Sequence, residues 1–169
     1  PFAEQAVAQG HEVVALRSDL SDRAGLREEV LEVEPRAVVH LAAISFVGHA
    51  HEDAFYAVNV VGTTNLLDAL LQLPHRPERV LLASSANVYG NSESSPLDES
   101  HPPAPVNHYA TSKLAMEHMA RTFADRLPLV IARPFNYTGP GQAEQFLIPK
   151  LAAHFAARAP RIALGNLHV

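Results

Sequence analysis

Short, almost uncharged apolar runs alternate along this chain with stretches whose apolar residues recur every three or four positions. The runs are residues 11–17 (HEVVALR), 37–43 (AVVHLAA), 79–84 (RVLLAS) and 127–134 (LPLVIARP). Their length and lack of polar alternation predict parallel strands buried on both faces. Between them, residues 2–9, 22–33, 53–73 and 108–126 are amphipathic. In the third of these, Phe55, Val58, Leu66, Ala69 and Leu70 form a stripe at helical period. Strand alternating with helix predicts an α/β fold built on a parallel sheet. Right-handed crossovers then make a doubly wound sheet, with helices on both faces, the economical topology. Residues 92–106 (SESSPLDESHPPAPV), rich in Pro, Ser and acid, predict a long irregular loop, and residues 134–142 (PFNYTGPGQ) a second turn-rich stretch.

With 169 residues, 47% of them hydrophobic, the chain can bury one core and needs no second full domain. A net charge of -5 without a dense Lys/Arg run argues against nucleic acid or an anionic membrane surface as partner, and leaves a small molecule. The absence of cysteine removes disulfides, thiolate catalysis and cysteine metal sites, and is compatible with a reducing cytoplasm, the expected location. No apolar stretch is long enough to span a bilayer. The ten histidines are scattered, and the closest pair, His49 and His51, lacks helical i, i+4 spacing, so no metal site is expected.

In a doubly wound sheet, ligands bind beyond the carboxyl ends of the strands. The polar punctuation of this sequence falls at those ends, at residues 17–19, 42–45, 84–87 and 135–136. Downstream of Ser84 and Ser85, Tyr109 and Lys113 stand four residues apart in NHYATSKLAMEHMA and share one helix face. A free tyrosine ionises at a pKa of roughly 10, and a neighbouring cation favours the phenolate, so this pair suits proton transfer near neutral pH. Ser85 is placed to hydrogen-bond the oxygen that gains or loses that proton. An ordinary exposed helical pair, and a serine pair satisfying loop backbone, would carry the same letters. Only two of the thirteen cations are lysine, at 113 and 150, which points to a need for an ammonium at 113.

Taken together, HLAAIS, NVVGTTNLLDA, SSANVYG, YATSK and ARPFNYTGPGQ resemble, in order and spacing across nearly the whole chain, the extended short-chain dehydrogenase/reductase family that acts on nucleotide-diphosphate sugars. PLDESHPPAPVNHYATSKLAMEHMA and ARPFNYTGPGQ are most similar to its reductases of GDP-linked 6-deoxy-4-keto-mannose. The resemblance implies an NAD(P)-binding Rossmann fold, NADP or NAD as cofactor and a nucleotide-diphosphate sugar as substrate. It also implies a homodimer formed through a four-helix bundle of residues 53–73 and 108–126. Tyr109 is implied as the acid that protonates the sugar C4 oxygen as hydride arrives. Lys113 is implied as the cation that tunes Tyr109 and holds the nicotinamide ribose, and Ser85 as a hydrogen-bonding partner of the same oxygen. Implied cofactor contacts are Asp19 and Leu20 at the adenine, the backbone of Leu41, Ala42 and Ala43, and the side chains of Asn59 and Phe135. Asn136 is implied at the substrate diphosphate or nicotinamide region. By residue type alone, turn, strand-end, helix-surface and packing roles suit these positions equally well.

The sequence departs from the family pattern in two respects. The first strand and the Gly-x-x-Gly-x-x-Gly turn, which bring backbone amides and a helix N-terminus to the pyrophosphate, have no counterpart here. Residues 1–142 are therefore expected to form a partial dinucleotide-binding domain and 143–169 the start of a substrate-binding portion, within a fragment of a longer protein. The family's 4,6-dehydratases carry acidic residues directly after the catalytic Ser or Thr, whereas Ala86 and Asn87 follow Ser85. That disfavours dehydration and favours C4 reduction, of GDP-4-keto-6-deoxy-mannose to GDP-rhamnose, with C4 epimerisation of the UDP-glucose type, then 4,6-dehydration, then a non-catalytic dinucleotide or nucleotide-sugar sensor as alternatives. Arg17, with no carboxylate at its strand end, suits a 2′-phosphate and so favours NADP.

Overall fold

The computed structural model describes residues 2–45 and 51–164; His49, half of the closest histidine pair, lies outside them. In chain order the elements are α1 (Phe2–Ala8), α2 (Arg23–Val33), β1 (Ala37–His40), α3 (Glu52–Tyr56), a π-helical turn (Ala57–Gly62), α4 (Thr63–Leu70), β2 (Arg79–Ala83), a 3-10 turn (Ala86–Tyr89), α5 (His108–Arg121), β3 (Leu129–Ala132) and α6 (Leu147–Ala156). They fall into two units. One is Glu12–Phe135, and the other combines Pro1–His11 with Asn136–Val169.

The larger unit is an α/β layer on a parallel sheet of order β1-β2-β3. Its register sets Val38, Val80 and Leu129 side by side, and likewise His40, Leu82 and Ile131. Because side chains alternate across a strand, these six share one face and Val39, Leu81 and Val130 share the other. The first face carries the core. Val80 and Leu82 are fully buried in one cluster with Leu26 and Val30 of α2, Leu66, Leu67 and Leu70 of α4, and Met116 and Ala120 of α5. On the opposite face Val39 and Val130 remain exposed.

Residues 11–17 do not form the expected strand. A parallel strand exists only where a neighbour completes its ladder, and among the described residues β1 pairs with β2 alone. Val13 and Val14 stay exposed. The amides of Arg17 and Ser18 instead donate to the Glu29 carboxylate of α2 at 2.8 and 2.9 Å. In the smaller unit, α6 is a helix the sequence reading did not anticipate, although Leu147, Leu151 and Phe155 recur at helical spacing. No helix among the described residues is long and apolar enough to cross a membrane.

Three local devices hold the carboxyl edge of the sheet and its flanking loops in place. The amphipathic stretch at 53–73 is interrupted by the π-helical turn, where Gly62 lies so close to Leu20 that an added Cβ would come within 2.7 Å of the Leu20 Cβ. Asn65 Nδ2 donates to the Leu20 carbonyl at 2.8 Å, which fastens the loop after residue 17 to α4. At the start of α5, Asn107 is the N-cap, its Oδ1 accepting from Ala110 N at 2.8 Å, and this fixes the helix origin two residues before Tyr109.

The loop that follows the 3-10 turn doubles back on it, Ala104 N donating to the Val88 carbonyl at 2.9 Å. This approach requires Gly90, which has φ +65° and whose added Cβ would lie 2.0 Å from the Ala104 carbonyl oxygen. Gly90→Ala is therefore expected to lower the unfolding free energy of the full-length protein by about 2 kcal/mol or more. Urea unfolding would measure it, and an unchanged midpoint would contradict the assigned backbone.

Candidate active site

The carboxyl end of β2 and the first two turns of α5 converge on one buried polar cluster. Ser85 directly follows Ser84 at the strand end and caps the 3-10 turn, its Oγ accepting from Asn87 N at 3.2 Å. Its own hydroxyl hydrogen is given to no group among the described residues. Tyr109 and Lys113 are both buried on α5. The Tyr109 ring packs at a tilt against Phe55 of α3, with centroids 6.2 Å apart.

Lys113 is only 4% exposed, and its Nζ donates to the Ala83 carbonyl at 2.7 Å. This contact lands the ammonium two residues before Ser85. An ammonium carries three hydrogens, so two remain for further partners. Burial lowers the Lys113 pKa to about 8, and the group is still largely protonated at neutral pH.

A second buried group stands beside it. His40, the last residue of β1, places Nε2 2.9 Å from Thr63 Oγ1. The single Thr63 hydroxyl hydrogen is donated to the Asn59 carbonyl at 2.8 Å, so His40 Nε2 must carry the proton and donate to Thr63. Burial, with Lys113 nearby, lowers the His40 pKa to about 4 and keeps the ring neutral.

The other expected contact residues are distributed as follows. Asn59, buried in the π-helical turn, accepts from Ile44 N at 3.1 Å, donates to the Ile44 carbonyl at 3.2 Å and donates to Ser112 Oγ at 3.0 Å. It therefore braces the segment after β1, which contains the exposed Leu41 and Ala42 and half-buried Ala43, against the α5 turn that bears Tyr109. Asp19 accepts from both Ser21 N and Ser21 Oγ at 2.8 and 2.6 Å, a turn arrangement that lowers its pKa. Leu20 packs against the core. Arg17 is exposed, and the Glu29 carboxylate bound to its amide supplies beside it a negative charge which the local sequence lacked. Phe135 is exposed at the end of the larger unit, while Asn136 is exposed in the smaller one. Lys113, Ser85 and Tyr109 thus gather at one edge, with residues 41–43 on the neighbouring strand end.

The sequence reading missed a buried ion pair beneath this cluster. Glu117 of α5 accepts from Arg133 Nε at 2.8 Å, from Arg133 Nη2 at 2.5 Å and from Ser84 Oγ at 2.5 Å. Burial raises the Glu117 pKa, but these bonds outweigh it and hold the carboxyl below its ordinary value. Hydrogen bonding to Glu117 raises the pKa of Arg133 in turn. The available signal was Glu117 at four residues beyond Lys113, together with an arginine closing the apolar run LVIAR. Among the described residues no group of three or more His, Asp or Glu is arranged to hold a metal ion.

A parallel α/β sheet with a buried Tyr, Lys and Ser set at its carboxyl edge defines the class of Rossmann-fold oxidoreductases. The model of the GDP-mannose 4,6 dehydratase family matches residues 3–169, and the chain belongs to that family of NAD(P)-dependent nucleotide-sugar enzymes. It is 39% identical over 149 residues to GDP-6-deoxy-D-talose 4-dehydrogenase of Aggregatibacter actinomycetemcomitans, covering 88% of this chain and 51% of the relative. It is 36% identical over 146 residues to GDP-6-deoxy-D-mannose reductase of Pseudomonas aeruginosa, covering 80% and 48%. The chain thus spans about half the length of these curated relatives. Among solved structures, a Burkholderia cenocepacia protein provisionally described as an epimerase superposes with a TM-score of 0.87 at 51% identity, over 99% of this chain and 60% of that one. RMD from Pseudomonas aeruginosa, complexed with NADPH, superposes with a TM-score of 0.84 at 32% identity, over 93% and 57%.

The neutral His40 has a consequence for acid stability. Its folded pKa, about 4, lies below the ordinary 6.5, so between these values the unfolded chain binds the extra proton. Stability therefore falls as pH drops from 6.5 toward 4, by up to about 3 kcal/mol from this group. His40→Gln retains an N–H donor without the titration and is expected to flatten that part of the profile. Urea unfolding of the full-length protein at pH 7 and pH 4.5 measures the difference; equal acid slopes in the two proteins would refute it.

Proposed function

We propose that this chain supplies the catalytic half of an NAD(P)H-dependent reductase acting on the C4 keto group of a nucleotide-diphosphate 6-deoxy-4-keto sugar, with GDP-4-keto-6-deoxy-mannose reduced to GDP-rhamnose as the first assignment. The observation that carries this reading is the buried Lys113 ammonium on the Ala83 carbonyl, beside Ser85 and one helical turn from Tyr109. The activities of the two relatives, each concerned with a GDP-linked 6-deoxy sugar, support the substrate class.

The residues suit the nicotinamide end of a dinucleotide. Lys113 has two hydrogens to give at the carboxyl edge of β2, and residues 41–43 lie on the adjacent strand end. The glycine turn that would meet the pyrophosphate is not in this sequence. A nicotinamide cofactor held there would supply hydride to C4. Tyr109 gives its phenolic proton to the C4 oxygen as negative charge develops there, and Ser85 Oγ donates its uncommitted hydrogen to the same oxygen. Lys113 stabilises the phenolate left behind. Leu41, Ala42, Ala43, Asn59 and Phe135 are assigned to the cofactor, as are Asp19, Leu20 and Arg17 at its adenosine end, and Asn136 to the substrate. The Glu29 carboxylate beside Arg17 weakens the case for a 2′-phosphate there, and NAD stands beside NADP as cofactor.

Dehydration is disfavoured, because no carboxylate follows Ser85 to remove a C5 proton. A C4 epimerase is the second reading, supported by the likeness to the Burkholderia protein. Full-length protein mixed with the keto sugar and NADPH is expected to consume the NADPH absorbance. Tyr109→Phe is expected to slow turnover by roughly 100- to 10,000-fold. Failure to consume NADPH with any keto sugar would sink the reductase reading. Tightly bound NAD, with turnover needing no added cofactor, would establish the epimerase instead.

The same reading includes a homodimer through residues 53–73 and 108–126. Light scattering of the full-length protein is expected to give twice the chain mass, and a monomer at every concentration would contradict it.

A further inference from the structure

Tyr109, Lys113 and Glu117 follow one another on α5 at four-residue steps, yet only the first two have work in proton transfer. Glu117 is 1% exposed, and three hydrogen bonds occupy both of its carboxylate oxygens. Oε1 accepts from Ser84 Oγ and Arg133 Nε, Oε2 accepts from Arg133 Nη2, and Arg121 Nη2 stands 4.0 Å away. Arg133, whose side chain is 12% exposed, turns its remaining edge outward from the pair. Its Nη1 donates to Tyr89 OH at 2.9 Å, and its guanidinium lies over the Tyr89 ring, 4.9 Å from the centroid.

The residues gripped in this way bracket Ser85. Ser84 precedes it directly, and Tyr89 closes the 3-10 turn that Ser85 caps. One ion pair rooted on the Tyr109 helix therefore holds both ends of the segment that carries Ser85. Stability alone is a poor explanation for such a pair, because a buried ion pair is seldom better than well-packed apolar side chains of the same volume. Nor is it a proton donor or acceptor toward a ligand, since every carboxylate oxygen already has a partner.

We propose that the Glu117–Arg133 pair is a positioning device that sets the separation between Ser85 at the end of β2 and Tyr109 on α5. The inference rests on the reading of those two residues as the groups that meet the C4 oxygen. A donor pair aimed at one small oxygen tolerates little displacement, and about 1 Å of misplacement costs on the order of 100-fold in rate. Binding of the nucleotide and the cofactor depends on other contacts, so the loss falls on kcat rather than on KM.

The test uses the full-length enzyme at a temperature well below every unfolding midpoint, with rates normalised to folded protein. Ser84→Ala and Tyr89→Phe each remove one hydrogen bond of the grip without unpairing the ions. Each is expected to lower kcat roughly 3- to 10-fold, and the double variant roughly 30-fold or more, with KM for sugar and NADPH within about twofold of the parent. A cavity of about 260 Å³, lined in part by Arg133, Arg121, His118 and Leu114, opens on the Arg133 side of the pair, so a small cation can reach the space that the arginine side chain would vacate. Arg133→Ala is accordingly expected to lose roughly 100-fold in kcat and to regain at least about tenfold with added guanidinium. Unchanged kcat in both soft variants would overturn the proposal, as would losses that vanish once rates are normalised to folded protein. Tyr109→Phe assayed in parallel separates the two readings. If it is inactive while the grip variants are normal, the positioning role fails alone; if it is fully active, the assignment of the site itself fails.

Discussion

A lysine ammonium with almost no surface in water must find an oxygen inside the protein, and Lys113 finds the Ala83 carbonyl at 2.7 Å. That contact does more than satisfy a charge. It ties α5 to the carboxyl end of β2 at one rotation about the helix axis, which places Tyr109 one turn to one side and Glu117 one turn to the other. It also makes the ammonium easier to deprotonate than a surface lysine, because burial disfavours the charged form. A lysine held in this way is a local source of positive charge at neutral pH that keeps two hydrogens for other partners.

Around it the polar groups form chains whose directions are set by hydrogen count. His40 gives its Nε2 hydrogen to Thr63, Thr63 gives its own to the Asn59 carbonyl, Asn59 donates to Ser112, and Ser112 donates to the Tyr109 carbonyl. β1, the π-helical turn, α4 and α5 are thereby joined without a free donor in the series. No buried side-chain nitrogen or oxygen among the described residues lacks a partner. A network satisfied to this degree is rigid, because any rotation strands a buried polar atom at a cost of about 1–3 kcal/mol.

Some of this was legible in one dimension. Tyr109 and Lys113 fall on one face because a helix repeats every 3.6 residues, and Ser85 falls at a strand end because RVLLA is a buried apolar run. Both inferences use only separations of a few residues. The partner of Glu117 was not legible, since Arg133 is sixteen residues away across a turn and a strand, and nothing local distinguishes it from the ten other arginines. The neutral state of His40 was equally hidden, because it follows from desolvation and from the commitment of a threonine hydroxyl twenty-three residues on. The run at 11–17 was misread as a strand because β structure, unlike a helix, is completed by a neighbour that the run does not contain.

The sequence by itself determined the alternation of strand and helix, the parallel α/β class, and the likeness to nucleotide-sugar oxidoreductases, since each depends on periodicity or on short motifs in a set order. Tertiary structure alone decided which charges are buried and paired, which tautomer His40 holds, which carboxylate meets the Arg17 amide, and which run lacks a strand partner. The physical reason is the same in every case. Desolvation and hydrogen-bond saturation are properties of the space around a group, and residues distant in sequence fill that space.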